Sequence, residues 1–310
     1  MSRILVVGAG ATGGYFGAHL VRSHRDVTFL VRPTRAAILR TQGLRLSAPQ
    51  GETVVAPQLV TEKAVNGVVY DIVLLSVKAD ALHAALEDLA PAIGETSVIV
   101  PFLNGIDHIE VIEKRFPGHL LGGVVKVVAQ LTADGTVKVS GPTASMEIGE
   151  LTGEISERAR RTAEALDVDG YEFSLSGNIH TAMWHKWVFI STVSAICCLA
   201  TGTIGDVASV PGGIEFATAV LAETSAVSQA AGHPLTAAGY EALRSTVTQE
   251  NSPFAPSLYR DMIDNRPTEV ENVLASLSSV ASSLGIPAPL IDLATVHLRL
   301  HNHRTASLAR

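Results

Sequence analysis

Cysteine is nearly absent: Cys197 and Cys198 are the two in 310 residues, and they are adjacent. Adjacent cysteines cannot staple distant segments, so a disulfide framework is excluded. The pair reads as reduced helix residues in a reducing compartment. Aromatic residues are scarce at 5%, against a hydrophobic content of 47%. That balance points to aliphatic packing of helix on sheet and helix on helix rather than to aromatic-rich β architecture. Positive charge is in deficit, 23 Lys+Arg facing 30 Asp+Glu for a net charge of -7. Neither nucleic acid nor an anionic membrane is therefore expected as a partner. Long apolar runs are missing too. The run at residues 4–7 is too short for the core of a signal peptide. The longest apolar stretch, residues 187–200, is interrupted by Ser191, Thr192 and Ser194 and falls short of a membrane span. A soluble, cytoplasmic protein is the expectation.

The chain is long enough for two domains. Continuous apolar runs at residues 4–7, 27–31, 71–77 and 97–103 read as strands. They alternate with helical patterns at 11–23, 33–41 and 80–89, which predicts a parallel sheet covered on both faces. Runs at 44–47 and 53–56 around Pro49-Gln50-Gly51 predict a hairpin excursion. Runs at 121–130, 136–140 and 145–148 are separated by Ala133-Asp134-Gly135 and Gly141-Pro142, and predict an antiparallel meander on the sheet's edge. A helix over 155–166 would close this domain. Beyond about Asn178 the β signal fades, and helical patterns follow at 181–199, 213–231, 236–248, 257–261, 270–284 and 289–299. The expected fold class is an α/β Rossmann-type N-terminal domain over residues 1–177. An all-α domain for substrate binding and dimerisation follows over 178–310, with a cleft between the two.

Gly8-Ala9-Gly10-Ala11-Thr12-Gly13 fits G-x-G-x-x-G. With 26 glycines in the chain the pattern alone is weak, but an apolar strand precedes it and a helical pattern follows. That context places a pyrophosphate on backbone N–H groups at a helix N-terminus. The next strand ends in Leu30-Val31-Arg32, a cation where an NAD site would carry Asp or Glu. A guanidinium there suits a 2′-phosphate, so NADP(H) is the expected cofactor.

Ligands of open parallel sheets gather at the C-terminal ends of the strands, where Ser76-Val77-Lys78 and Asn104-Gly105 fall. Lys78 suits cofactor phosphate or ribose, or is a solvated strand-end lysine. Asn104 offers donor and acceptor groups to nicotinamide or substrate, although Asn-Gly is also a common turn. In the helical half, Trp184-His185-Lys186-Trp187 sets a lysine among large aromatics. Facing inward, Lys186 would be desolvated toward the range useful to a general acid. Ile190 and Ser194 share its helical face. The competing reading is a lysine snorkelling from a buried helix. His185 points about a quarter-turn away, which favours a structural role. Glu269 and Glu271 open a helix, where carboxylates suit the dipole. His297, His301 and His303 have spacing open to a metal, but a frayed terminal helix is the expectation, and no metal site is expected.

The Gly8–Gly13 turn, Leu30-Val31-Arg32, Ser76-Val77-Lys78-Ala79, Leu103-Asn104-Gly105, Trp184-His185-Lys186 and Ser257…Thr268-Glu269, in this order, resemble the ketopantoate reductase family over nearly the whole chain. The resemblance implies NADPH-dependent reduction of a small 2-oxo acid, ketopantoate to pantoate in pantothenate biosynthesis, with Lys186 as general acid. It implies that Asn104 contacts nicotinamide and substrate, that Ser257 binds substrate, that Glu269 binds the cofactor ribose and that Ala129 gives NADP a backbone contact. Members acting on ketopantoate carry asparagines one and two helical turns after the lysine. Ile190 and Ser194 hold those substrate-binding positions here, which points to a less polar 2-oxo acid. A non-catalytic NADP-binding redox sensor, a dehydrogenase working in the oxidising direction, and a homodimer through the apolar helices after Gly213 all stay open.

Overall fold

A computed structural model describes residues 1–49, 51–61, 67–141 and 143–308. Gln50 and Pro142, in two of the expected turns, lie outside the described residues. The chain divides into two compact units, Met1–Leu103 with His108–His180, and Asn104–Asp107 with Thr181–Arg310.

In the first unit the elements run β1 (Arg3–Val7), α1 (Ala11–Arg22), β2 (Asp26–Leu30), α2 (Pro33–Gln42), β3 (Leu44–Ala48), β4 (Gly51–Val55), β5 (Gln58–Val60), β6 (Tyr70–Leu75), α3 (Leu82–Leu89) and β7 (Ile93–Pro101). They continue through α4 (Asp107–Arg115), β8 (Gly122–Lys126), β9 (Ala129–Leu131), β10 (Val137–Val139), β11 (Ser145–Gly149), α5 (Glu157–Leu166) and β12 (Glu172–Leu175). Five strands form a wholly parallel sheet in the order β5-β2-β1-β6-β7. Alternation along β1 explains why it is apolar throughout. Ile4 and Val6 pack into one core with Phe16 and Leu20 of α1. Leu5 and Val7 point the other way, into a second core with Leu82, Leu86 and Leu89 of α3 and Ile112 of α4. Helices thus cover both faces, as parallel sheets require.

The meander differs from expectation. Residues 121–130 do not form one strand: β8 and β9 are separate and belong to different sheets. β9 pairs antiparallel with β10, which adds in parallel to the free edge of β3, giving the order β4-β3-β10-β9. The hairpin β3–β4 exposes a row of unpaired backbone groups, and β10 satisfies them. β8 instead pairs with β11, and β11 with β12, a short polar-alternating strand that carries little sequence signal.

The second unit is helical: α6 (Ile179–Ala200, starting in the last residues of the first unit), α7 (Ile204–Ala208), α8 (Gly213–Ala230), α9 (Ala237–Val247), α10 (Ser257–Ile263), α11 (Ser276–Ser283) and α12 (Pro289–Leu308). α6 is apolar on every side because it is the central core helix, with Trp187, Val188, Val193 and Ile196 fully buried. At 22 residues it extends well beyond residues 187–200, and by length and composition alone it could cross a bilayer, yet 67% of its most apolar window is buried in the fold. The helix expected over 270–284 opens with a π-helical turn, Glu271–Ala275, before α11. α12 runs intact to Leu308 rather than fraying after Arg299, so His297, His301 and His303 ride on a regular helix. Among the described residues no three metal-ligand side chains gather.

Candidate active site

The first unit carries the expected cofactor residues at one edge of its parallel sheet. Val7 is level with Leu30 of β2 and Leu75 of β6, so the segments that follow these strands emerge side by side. Gly8 donates to the Leu30 carbonyl at 3.0 Å, and Ser76 donates to the Val7 carbonyl at 2.9 Å. Gly8 has a φ of +96°, and a Cβ there would stand 2.4 Å from the Ser76 carbonyl oxygen. A Cβ on Gly13 would stand 2.2 Å from the Gly8 carbonyl oxygen, so α1 lies directly against the turn. Gly10 is different: nothing lies within 4 Å of its Cβ position. It caps α1 without a side-chain hydrogen bond, while Ala9 is buried and Ala11 and Thr12 are partly exposed. Two glycines therefore allow close packing and the third leaves space beside the free N–H groups of α1, a cradle that fits a pyrophosphate.

Arg32 caps α2 in extended conformation, is exposed, and has no hydrogen bond or ion pair among the described residues. Lys78, also exposed, precedes a short 3-10 turn after β6. Ala129 opens β9 opposite Val139 and packs against the core that contains α1. Sequence reasoning missed Arg35. Its Nε donates to the Ala9 carbonyl at 3.0 Å and its Nη1 to the Gly135 carbonyl at 2.8 Å, tying the glycine turn to the β9–β10 connection. Burial pulls its pKa below the usual guanidinium value. The only cue was its position in the first turn of α2, which an ordinary surface arginine shares.

The second unit gathers the other candidates. Asn104 is half-buried, and Gly105 beside it has a φ of +75°. A Cβ on Gly105 would lie 2.4 Å from the Asn272 carbonyl oxygen and 3.9 Å from Trp187 Nε1. Trp187 donates to the Val273 carbonyl at 2.8 Å, and Ser191 donates to the same oxygen at 3.1 Å. The π-helical turn that carries these carbonyls begins two residues after Glu269. A π turn of this kind is a frequent mark of a functional site. Three separate segments, those of Asn104, Lys186 and Glu269, therefore meet at one joint. Glu269 is half-buried and its approach is fixed by Asn302 of α12. The Asn302 side chain accepts from Thr268 N at 2.8 Å and donates to the Thr268 carbonyl at 3.0 Å. Nothing in the sequence marked Asn302.

Lys186 is half-buried, and its chain neighbours Trp184 and Trp187 pack ring against ring with centroids 5.0 Å apart. His185 Nε2 lies 3.2 Å from the Pro234 carbonyl, which supports its structural role. Ile190 is half-buried, whereas Ser194 is 1% exposed, and its hydroxyl has no hydrogen-bond partner among the described residues. Ser257 is exposed as the first residue of α10. The segment before it is tied to α6 by Phe254, whose ring centroid is 5.9 Å from that of Phe189.

Comparison with known proteins covers both units. Residues 4–153 match the family described as "Ketopantoate reductase PanE/ApbA", and residues 178–302 match its C-terminal counterpart. The chain is 31% identical over 300 residues to "Uncharacterized oxidoreductase YkpB" of Bacillus subtilis, covering 96% of this chain and 98% of the other. It is 26% identical to a 2-dehydropantoate 2-reductase of Mesorhizobium japonicum, with 94% of each chain covered. Among solved structures, a ternary complex of D-mandelate dehydrogenase with NADH and anilino(oxo)acetate superposes with a TM-score of 0.88 at 23% identity, covering 98% of this chain and 99% of the other. The 2-dehydropantoate 2-reductase of Methylococcus capsulatus superposes with a TM-score of 0.85 at 25% identity, covering 98% and 97%.

Proposed function

From the fact that the chain belongs to the ketopantoate reductase family of oxidoreductases, we propose that it reduces a 2-oxo acid to the 2-hydroxy acid with NADPH. A bound NADPH supplies the hydride that goes to the carbonyl carbon. The chain's own residues do the rest. The Gly8–Gly13 turn offers N–H groups to the pyrophosphate, with Arg32 and Lys78 as cations at the same sheet edge and Ala129 as a backbone contact. Arg32, exposed and without a protein partner among the described residues, suits a 2′-phosphate and favours NADPH over NADH. Asn104 orients the nicotinamide amide and the substrate carbonyl, and Glu269 accepts from a ribose hydroxyl. Lys186, as the ammonium ion, holds the carbonyl oxygen by hydrogen bond and gives up its proton as negative charge develops there. Ser257 hydrogen-bonds the substrate.

One observation carries this reading: Gly105, Trp187 and the Asn272–Val273 carbonyls interlock, so that the segments bearing Asn104, Lys186 and Glu269 meet. Ile190, half-buried one turn after Lys186, cannot hydrogen-bond a substrate hydroxyl, which favours a substrate less polar than ketopantoate. Steady-state assays with NADPH and NADH against a panel of 2-oxo acids, ketopantoate included, test the reading. Lys186→Ala should cost about 100- to 10,000-fold in turnover while leaving NADPH affinity intact. A folded, NADPH-binding wild type that turns over no member of the panel would refute it.

A further inference from the structure

α10 carries a cation that the reaction as derived does not use. Arg260 stands three residues after Ser257, on the same face of the helix. Leu258 and Met262 turn the opposite face into the core. Arg260 is half-buried, and its Nη1 donates to the Ala255 carbonyl at 2.6 Å, which draws the guanidinium back past Ser257. Ala255 is itself fixed, since the neighbouring Phe254 carbonyl accepts from Ile204 N at 3.1 Å and the Phe254 ring packs on Phe189 of α6. The nearby carboxylates serve another residue: Asp261 and Asp264 both pair with Arg266, at 3.0 and 2.8 Å. Arg260 makes no ion pair among the described residues. Desolvation lowers its pKa, with Asp261 the largest opposing influence. Asp261 and Asp264 favour the charge on Arg260 only through space, so a ligand carboxylate would give this half-buried cation its direct counterion. With Nη1 engaged, the Nε–Nη2 edge of the guanidinium remains for a planar anion, the geometry that a carboxylate meets in bidentate fashion. The segment's own Phe254 and Tyr259, and Phe189 of α6 against which the Phe254 ring packs, are apolar and half-buried.

We propose that Arg260, set by the Ala255 carbonyl beside Ser257, seats the substrate's carboxylate, so that the site selects 2-oxo monocarboxylates bearing an apolar side chain. This rests on the reading of the chain as a 2-oxo acid reductase and names what that reductase recognises.

The full-length enzyme with NADPH is assayed on trimethylpyruvate and other apolar 2-oxo monocarboxylates, each beside its methyl ester. Arg260→Gln should raise KM for the acids about 10- to 100-fold, as expected for losing a hydrogen bond to a charged group. It should leave kcat, and KM for the esters, nearly unchanged. Arg260→Lys should recover part of the loss by restoring charge without the fork. NADPH affinity should match wild type in both, and each variant should still melt in one cooperative transition. Equal shifts for acid and ester, or no shift, overturn the carboxylate seat while the reductase reading stands. If wild type turns over nothing, calorimetric titration of trimethylpyruvate into the NADP-loaded protein separates the two. Binding that Arg260→Gln abolishes upholds the seat and removes the reductase, and no binding to wild type removes both.

Discussion

Gly105→Ala is the sharpest perturbation of the joint in the second unit. Two separate costs can be worked out. The residue has a φ of +75°, and an alanine held in the left-handed region costs about 1–2 kcal/mol. The new Cβ would also begin 2.4 Å from the Asn272 carbonyl oxygen, about 1 Å inside ordinary contact. That oxygen has little freedom to retreat, because the next carbonyl, of Val273, is held by Trp187 and Ser191. Forced displacement of packed backbone adds about 1–3 kcal/mol. The sum, about 2–5 kcal/mol, is a large share of the roughly 5–15 kcal/mol that holds a typical domain together. At roughly 2–4 °C per kcal/mol for chains near this size, the melting temperature should fall by about 5–15 °C. Circular dichroism on heating and denaturant titration both read this. NADPH affinity should fall too, since Asn104 and Glu269 are carried by the segments that meet there. It should not vanish, because the glycine turn belongs to the first unit. Trp187→Phe in the same background should cost less than the sum of the single changes, because both loosen the same pair of carbonyls. A Gly105→Ala protein that melts within about 1 °C of wild type would refute the argument from close approach.

Gly10→Ala is its counterpart: with open space at the Cβ and a φ of -78°, stability should change by less than about 1 kcal/mol. The added methyl stands beside the free N–H groups of α1, so NADPH titration should show affinity falling about tenfold or more. Arg32→Ala should weaken NADPH and leave NADH nearly unchanged, read by comparing the two dissociation constants; equal losses would remove Arg32 from 2′-phosphate recognition. Glu150 supplies a pH prediction. Its carboxylate takes two bonds of 2.7 Å from Arg158, and these, with Ser156, hold its pKa below the usual 4.5. Because the folded value is depressed, this contribution is complete above about pH 4.5 and is lost as pH falls through the folded value. Urea midpoints measured from neutral to acidic pH should therefore drop less steeply below that point in Glu150→Gln, which starts from a lower stability at neutral pH.

The parallel sheet was legible in the sequence because its strands are buried on both faces, so residues 4–7 and the 72–75 part of the expected 71–77 strand are unbroken apolar runs. The smaller sheets were not. Whether β10 lies beside β3 depends on a hydrogen-bonding edge left open by a hairpin far away in the chain, and no local pattern records it. α7 was overlooked although Thr203 and Asp206 form a capping box at its start, a signal hidden by the brevity of the helix. At the candidate site, residue types at strand ends and helix starts brought out Arg32, Asn104 and Lys186. The residues that hold the site's segments in place, Arg35, Trp187 and Asn302, act mainly through backbone carbonyls or across long sequence separation. A carbonyl acceptor leaves no trace in residue type, so these partners emerge only with coordinates.

Asn104–Asp107 belongs to the helical unit although the residues before and after it, through His180, belong to the other. The polypeptide therefore changes allegiance three times, and no single cut yields two complete pieces. A fragment starting at Thr181 would lack the glycine that fits against Asn272, the partner of Ser276 at Asp107, and Asn104 with them. During synthesis the helical unit cannot finish assembling from its own late-emerging chain; it must borrow a loop translated long before. For gene fusion and domain shuffling, the inheritable module is the whole chain.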